Sequence, residues 1–180
     1  MRYQVGGLGW MDARFKGARL VITFSVLFRR YLLLLVLVAT TAFAAMPAKP
    51  SLKVTTLDGK TWNLAEQHGY WVIVNFWATW CAPCVKEMPD LSEFVHKHDK
   101  VRAIGLVYED APAARIRAFL RKHRVGYPMA QLAPNHPPKD FDAPLGLPTT
   151  WLIAPDGHVA RHFVGPIDSK MLVRAIKTKK

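Results

Sequence analysis

The sequence predicts an α/β domain: a central mixed sheet flanked by helices, with an N-terminal β-hairpin extension. Three observations predict it. Residues 70–78 are nearly all apolar, and the β-branched run Val72-Ile73-Val74 within them reads as a strand buried on both faces. A helical pattern over 82–98 separates it from a second apolar strand at 101–108, and such a unit is parallel and right-handed. Residues 149–153 and 158–164 then flank Pro155-Asp156-Gly157, the signature of an antiparallel hairpin.

The 180 residues suffice for one domain with its own core. With only two cysteines, the chain is not a small disulfide-framed scaffold. The formal charge is +12, and the first 44 residues hold six of the 25 basic residues and one of the 13 acidic ones. The remaining cations are dispersed, with clusters at Arg115-Ile116-Arg117 through Arg121-Lys122-His123-Arg124 and at Lys177-Thr178-Lys179-Lys180. Neither is interleaved with exposed aromatics, which argues against a nucleic-acid platform. They read as solvated helix faces and a tail; attraction of acidic partners or anionic lipid headgroups is the other use of such charge.

Residues 1–44 read as a signal peptide or an N-terminal membrane anchor. Residues 31–46 are uncharged and largely apolar, Arg29-Arg30 precede them, and Ala42-Phe43-Ala44 places small residues where a signal peptidase inspects. Cleavage is expected before Ala45. The run is shorter than the roughly 20 residues that a spanning helix needs, so retention as an inner-membrane anchor is the second reading. Arg29-Arg30 lacks the neighbours of a twin-arginine signal. The leader is long, and a true start near Val26 would shorten it.

Residues 45–50 form a linker, and 51–180 the folded domain. Residues 52–56 alternate, Asp58-Gly59 offers a turn, and 61–64 return as the second strand of an edge hairpin. A short helix over 64–68 ends at Gly69. The helix at 82–98 turns Val85, Met88, Leu91 and Val95 inward, and Pro89 within it is expected to cause a kink. Asp110 reads as the N-cap of the next helix, with Pro112 in its first turn. That helix runs to about Arg124 with Ile116, Phe119 and Leu120 inward, and Gly126 ends it. Residues 127–132 form a short strand. Residues 133–146 contain Pro134, Pro137, Pro138 and Pro144 and read as an irregular loop. Asp168 caps a final helix whose inner face is Leu172, Ala175 and Ile176.

The chemistry lies between the first strand and its helix, at Cys81-Ala82-Pro83-Cys84. Two cysteines at this spacing close a disulfide across one turn. If Cys84 begins a helix, Cys81 sits at the helix N-terminus, where unpaired N–H groups and the dipole favour a thiolate and lower its pKa below about 8.5. Pro83 suits a first helical turn. Cys81 is then the exposed attacking thiol, and Cys84 lies further in and resolves the mixed disulfide. Glu87 follows Cys84 by three residues on the same helix face, where a carboxyl takes the Cys84 proton or tunes its thiolate. As a structural staple the pair is poor, since so short a loop removes only about 2 kcal/mol of unfolded-state entropy. A zinc site needs four ligands, and no second cysteine pair exists; His96 and His98 read as a solvated helix end. No metal or organic cofactor is expected.

The run Asn75-Phe76-Trp77-Ala78-Thr79-Trp80-Cys81-Ala82-Pro83-Cys84-Val85-Lys86-Glu87-Met88-Pro89 resembles the active-site signature of the TlpA/ResA/DsbE thioredoxin-like proteins. Gly146-Leu147-Pro148-Thr149-Thr150-Trp151-Leu152-Ile153, followed by Asp156-Gly157, resembles their second signature, and the match spans roughly residues 52–176. The resemblance implies a thioredoxin-like fold with Leu147–Pro148 cis beside the active-site pair. Such a turn leaves the Leu147 backbone free to pair with an extended substrate, so Leu147 and Pro148 are the expected substrate-binding residues. Asn75 departs from thioredoxins proper, which carry a buried aspartate there, and agrees with this branch. By resemblance Glu87 tunes the thiols, in company with Asn75, Trp80 and Pro83.

The implied function is that of an exported thiol–disulfide oxidoreductase, periplasmic or held at the inner membrane, mainly reducing disulfides of extracytoplasmic proteins. In the family such substrates include apocytochrome c during cytochrome c maturation. A membrane thiol reductase of the DsbD/CcdA type would recharge it. The chain is expected to be a monomer with no nucleic-acid partner. The alternatives are a disulfide-forming oxidant of the DsbA type, a thioredoxin-fold peroxidase, and a copper-delivery protein of the Sco type, whose cysteines normally stand three residues apart.

Overall fold

A computed structural model describes residues 49–133 and 136–178. The apolar run at 31–46, the cleavage site before Ala45, Arg29-Arg30 and the start near Val26 lie outside the described residues, as do Pro134, Lys179 and Lys180. The elements are β1 (Lys53–Thr55), β2 (Thr61–Asn63), a 3-10 turn (Leu64–Gln67), β3 (Trp71–Trp77), α1 (Ala82–Lys97), β4 (Val101–Tyr108), α2 (Ala113–His123), β5 (Met129–Leu132), β6 (Thr149–Ile153), β7 (Val159–Val164) and α3 (Ser169–Lys177).

The main sheet has the order β5-β4-β3-β6-β7, and β1 and β2 form a separate hairpin. β3 pairs in parallel with β4 and antiparallel with β6, so the sheet is mixed. Alternation along β3 divides the core: Ile73 and Trp77 face one cluster, Val72, Val74 and Phe76 the other. The first cluster takes Met88, Leu91 and Phe94 from α1, Ile116 from α2 and Leu172 from α3, so all three helices cover one face. Two right-handed crossovers stepping the same way, β3-α1-β4 and β4-α2-β5, put α1 and α2 on the same side.

The opposite face is covered without a helix of that length. Leu52 and Leu64 close part of it, and the loop before β6 closes the rest with Phe141, which is 2% exposed. The Phe141 ring meets Trp151 edge-on at 5.5 Å and Phe76 at 6.3 Å. The Ser51 backbone N–H donates to Asp140 Oδ2 at 2.9 Å, tying this loop to the segment before β1. Phe141→Ala is expected to cost about 3 kcal/mol, because it opens a cavity against two aromatic rings. Urea unfolding of the oxidised protein measures the loss.

α1 continues through Pro89, which is exposed on the outer face, to Lys97. The inward side of α1 also carries Phe94, and Val95 is half-buried against the same cluster. Several local expectations are corrected. α2 starts at Ala113 with Pro112 as its N-cap, and no side chain caps it. Arg124, not Gly126, takes the left-handed position at its end, with φ 47° and its N–H bonded to Leu120 O at 3.1 Å. The hairpin lies at the sheet edge as expected: Leu57 N–H donates to Met129 O at 2.7 Å, and Thr56 bridges to Ala130 of the edge strand β5.

Candidate active site

The ends of β3 and β4 and the start of β6 meet at one pole of the sheet. Val72 pairs with Ile153 and Phe76 with Thr149, so residues 78–84 and 146–149 lie at the same end. Cys81 is the N-cap of α1, and Cys84 lies in its first turn. Their sulfurs are joined in a disulfide, and the Cys84 N–H donates to Cys81 Sγ at 3.3 Å. Pro83 occupies the first turn, exposed, as its fixed φ and missing N–H permit. A turn closed by Cys81 N–H to Ala78 O at 3.1 Å presents Trp80, which is 68% exposed. The sequence placed Cys81 at the surface; the structure places it at 4% exposure against 1% for Cys84. In the closed disulfide Cys81 Sγ is turned toward the helix N-terminus and is shielded there, although it remains the more accessible of the two.

Glu87 is 5% exposed one helical turn from Cys84. Its Oε1 accepts from Asn75 Nδ2 and its Oε2 from the Ile167 N–H, each at 2.9 Å. Asn75 Nδ2 also donates to Thr150 Oγ1 at 2.9 Å, across the β3–β6 pairing. Burial raises the Glu87 pKa to about 7, against the two hydrogen bonds, which favour the carboxylate. Burial and the Glu87 charge together push the Tyr127 hydroxyl up as well, so that ring stays neutral beside the carboxyl. The arrangement therefore holds one carboxyl poised to exchange a proton near neutral pH, next to the inner cysteine.

Leu147–Pro148 is cis. Pro148 is buried and accepts the Gly165 N–H at 2.9 Å. Leu147 is half-buried, packs against both core clusters and lies outside the ladder, since β6 begins at Thr149. The structure thus brings Cys81, Cys84, Glu87, Asn75, Pro83 and Trp80 together on one strand–helix junction, with Leu147 and Pro148 at the same pole.

Sequence reasoning missed three contributors. Ile167 supplies its backbone N–H from 80 residues away, and any residue type but proline could do so. Thr150 lay inside a quoted motif but has no chemistry until Asn75 faces it. Glu109, 6% exposed at the end of β4, accepts the Thr79 hydroxyl at 3.0 Å and ties down the turn before Cys81.

The comparisons with known proteins agree with this geometry. The model of the AhpC/TSA family matches residues 47–162. A thiol–disulfide oxidoreductase ResA from Bacillus thuringiensis is 32% identical over 71% of this chain and 74% of its own. The ResA of Bacillus subtilis is 30% identical over 68% and 69%. A crystal structure of a thioredoxin-family thiol:disulfide interchange protein from Chlorobium tepidum is 26% identical, with a TM-score of 0.58 over 76% of this chain and 98% of that one. The chain belongs to the AhpC/TSA family, and its helix-capping Cys81–Cys84 pair on a thioredoxin-like sheet is that of a ResA-like thiol–disulfide oxidoreductase.

Proposed function

We propose that the protein is an exported reductant of disulfides in extracytoplasmic proteins, acting through Cys81 and Cys84, with cytochrome c maturation as one setting. The observation that carries the mechanism is the position of Cys81 Sγ, which receives the Cys84 N–H at a helix N-terminus. In the reduced protein the same donor and dipole favour a thiolate there. Cys81 thiolate attacks one sulfur of a substrate disulfide, a mixed disulfide forms, and the first substrate thiolate leaves. Glu87 takes the proton of Cys84, whose thiolate then attacks Cys81 Sγ and expels the second substrate thiolate. Two electrons pass to the substrate, and the Cys81–Cys84 disulfide is restored.

Asn75 holds the Glu87 carboxyl in place, Pro83 fixes the first helical turn, and Trp80 offers exposed apolar surface beside the pair. Leu147 and Pro148 receive the substrate backbone next to the disulfide. A membrane thiol reductase of the DsbD/CcdA type returns the electrons, and the protein works as a monomer. The apolar segment at 31–46 supports export, with residues 1–44 serving as signal peptide or anchor and 51–180 as the catalytic domain.

Direction is tested by the reduction potential. A value near about −270 mV supports the reductant, whereas one near about −120 mV assigns a disulfide-forming role. Substrates are named by a Cys84→Ser variant, which is expected to retain them as mixed disulfides through Cys81. If it traps no protein while wild type turns over, a mixed disulfide through Cys81 is not on the path.

A further inference from the structure

α1 and α2 cross back between parallel strands, and α3 starts against α1, where Asp90 accepts from the Ser169 N–H and hydroxyl at 2.8 Å. α1 and α2 therefore run away from the active-site pole, and α3, which starts beside the middle of α1, ends near Arg161 in the half of β7 away from that pole, so the three C-termini lie in the opposite half of the domain. There each last turn is basic: His96 and Lys97 on α1, Arg121, Lys122 and His123 on α2, Arg174 and Lys177 on α3. Arg124 follows α2, and Lys100 and Arg102, at the base of β4, lie over the Tyr70 ring at 5.4 and 4.1 Å. Lys49 reaches the same end beside Gly157.

Helix dipoles explain only part of this. Each C-terminus carries about half a negative charge, so three helices are complemented by one or two cations. The carboxylates at this pole are Glu66, Glu93, Asp99 and Asp156, with Asp58 beside Arg121 and Arg124; Glu93 pairs with Lys97, Asp156 with His158 and Asp58 with Lys60. The cations outnumber them. At the active-site pole Glu109, Asp110 and Asp168 stand against Lys86, Arg115 and Lys170 from the first turns of the helices, and the charges are near balance. The described domain is thus electrostatically two-ended, basic at the helix C-termini and balanced where its disulfide lies.

We propose that the basic pole docks on a bilayer carrying anionic phospholipid and so points the Cys81–Cys84 end away from the membrane. The Lys97, Lys100, Arg121, Lys122, Arg124 and Lys177 side chains are exposed there. Such cations each add severalfold to the affinity for an anionic surface at low salt. The charge argument stands whether the leader is kept or removed, and it is independent of the direction of the redox reaction.

The test compares the full chain on vesicles of phosphatidylcholine with its binding to vesicles that also contain phosphatidylglycerol. Apolar insertion of the leader contributes to both, whereas the leader's own cations add to the anion-dependent part; the two variants below share that leader, so the difference between them reports the pole alone. Two matched triple variants each remove one cation per helix: Lys97→Gln, Arg121→Gln and Lys177→Gln at the basic pole, and Lys86→Gln, Arg115→Gln and Lys170→Gln at the other. The expected result is an anion-dependent gain that falls with added salt, drops about tenfold or more in the first variant and persists in the second. No gain with phosphatidylglycerol, or an equal loss in both variants, overturns the proposal.

Discussion

A Cys81→Ser variant is expected to lose disulfide exchange by about three orders of magnitude or more, because the reaction loses its nucleophile and no other cysteine can replace it. Cys84 does not substitute, being 1% exposed with its sulfur inside the core cluster. The two single variants should therefore differ in kind. Cys84→Ser still attacks once and stalls as a mixed disulfide, whereas Cys81→Ser forms no adduct at all. Insulin reduction by the reduced proteins measures the first effect, and non-reducing electrophoresis the second. Equal adduct formation by both variants would contradict the division of labour between the two sulfurs.

The second large effect concerns Glu87 and pH. Its folded pKa, about 7, stands above the ordinary value of 4.5, because burial penalises the carboxylate. A raised acid pKa stabilises the fold below the unfolded value, and that stability is lost as pH rises through the folded one. The oxidised protein should accordingly lose up to about 3 kcal/mol from this group between pH 4.5 and 7 and stay low above it. In Glu87→Gln that contribution disappears: the amide oxygen accepts the Ile167 N–H, and Asn75, whose Oδ1 has no partner, turns its amide to receive the new N–H. The variant's stability relative to wild type should rise by about that amount across this interval, as read by urea unfolding at a series of pH values. Parallel stability curves for the two proteins would show that Glu87 does not titrate there.

How far the sequence disclosed this arrangement depends on the kind of signal. β3 and β4 were legible because strands covered on both faces are apolar throughout. The α3 N-cap was legible because Asp168 accepts the Met171 N–H at 2.7 Å, a local bond written in the residue type. The start of α2 was misread for the same reason: Asp110 is a good capping residue, but its side chain is not the cap, and the chain turns into the helix at Pro112. The loop at 136–146 was opaque because its work is done by one ring, Phe141, pressed between Phe76 and Trp151, and no periodicity marks a single anchor.

The candidate site divides the same way. Cys81, Pro83, Cys84 and Glu87 lie on consecutive turns of one segment, so their spacing carried their geometry. The environment that raises the Glu87 pKa is burial, and the hydrogen bonds from Ile167 beyond β7 and Asn75 on β3 oppose the shift. Only folding assembles it. The near-complete burial of Cys81 was likewise invisible, since helix-capping geometry says nothing of what the oxidised sulfur turns toward.

Alkylation of the reduced protein with iodoacetamide across pH, with Cys81 and Cys84 resolved by peptide mass, tests the central claim most directly. Cys81 should ionise well below the value of about 8.5 for a free thiol and react first, ahead of Cys84. Two thiols that both titrate near that free value, with no order between them, would contradict the account.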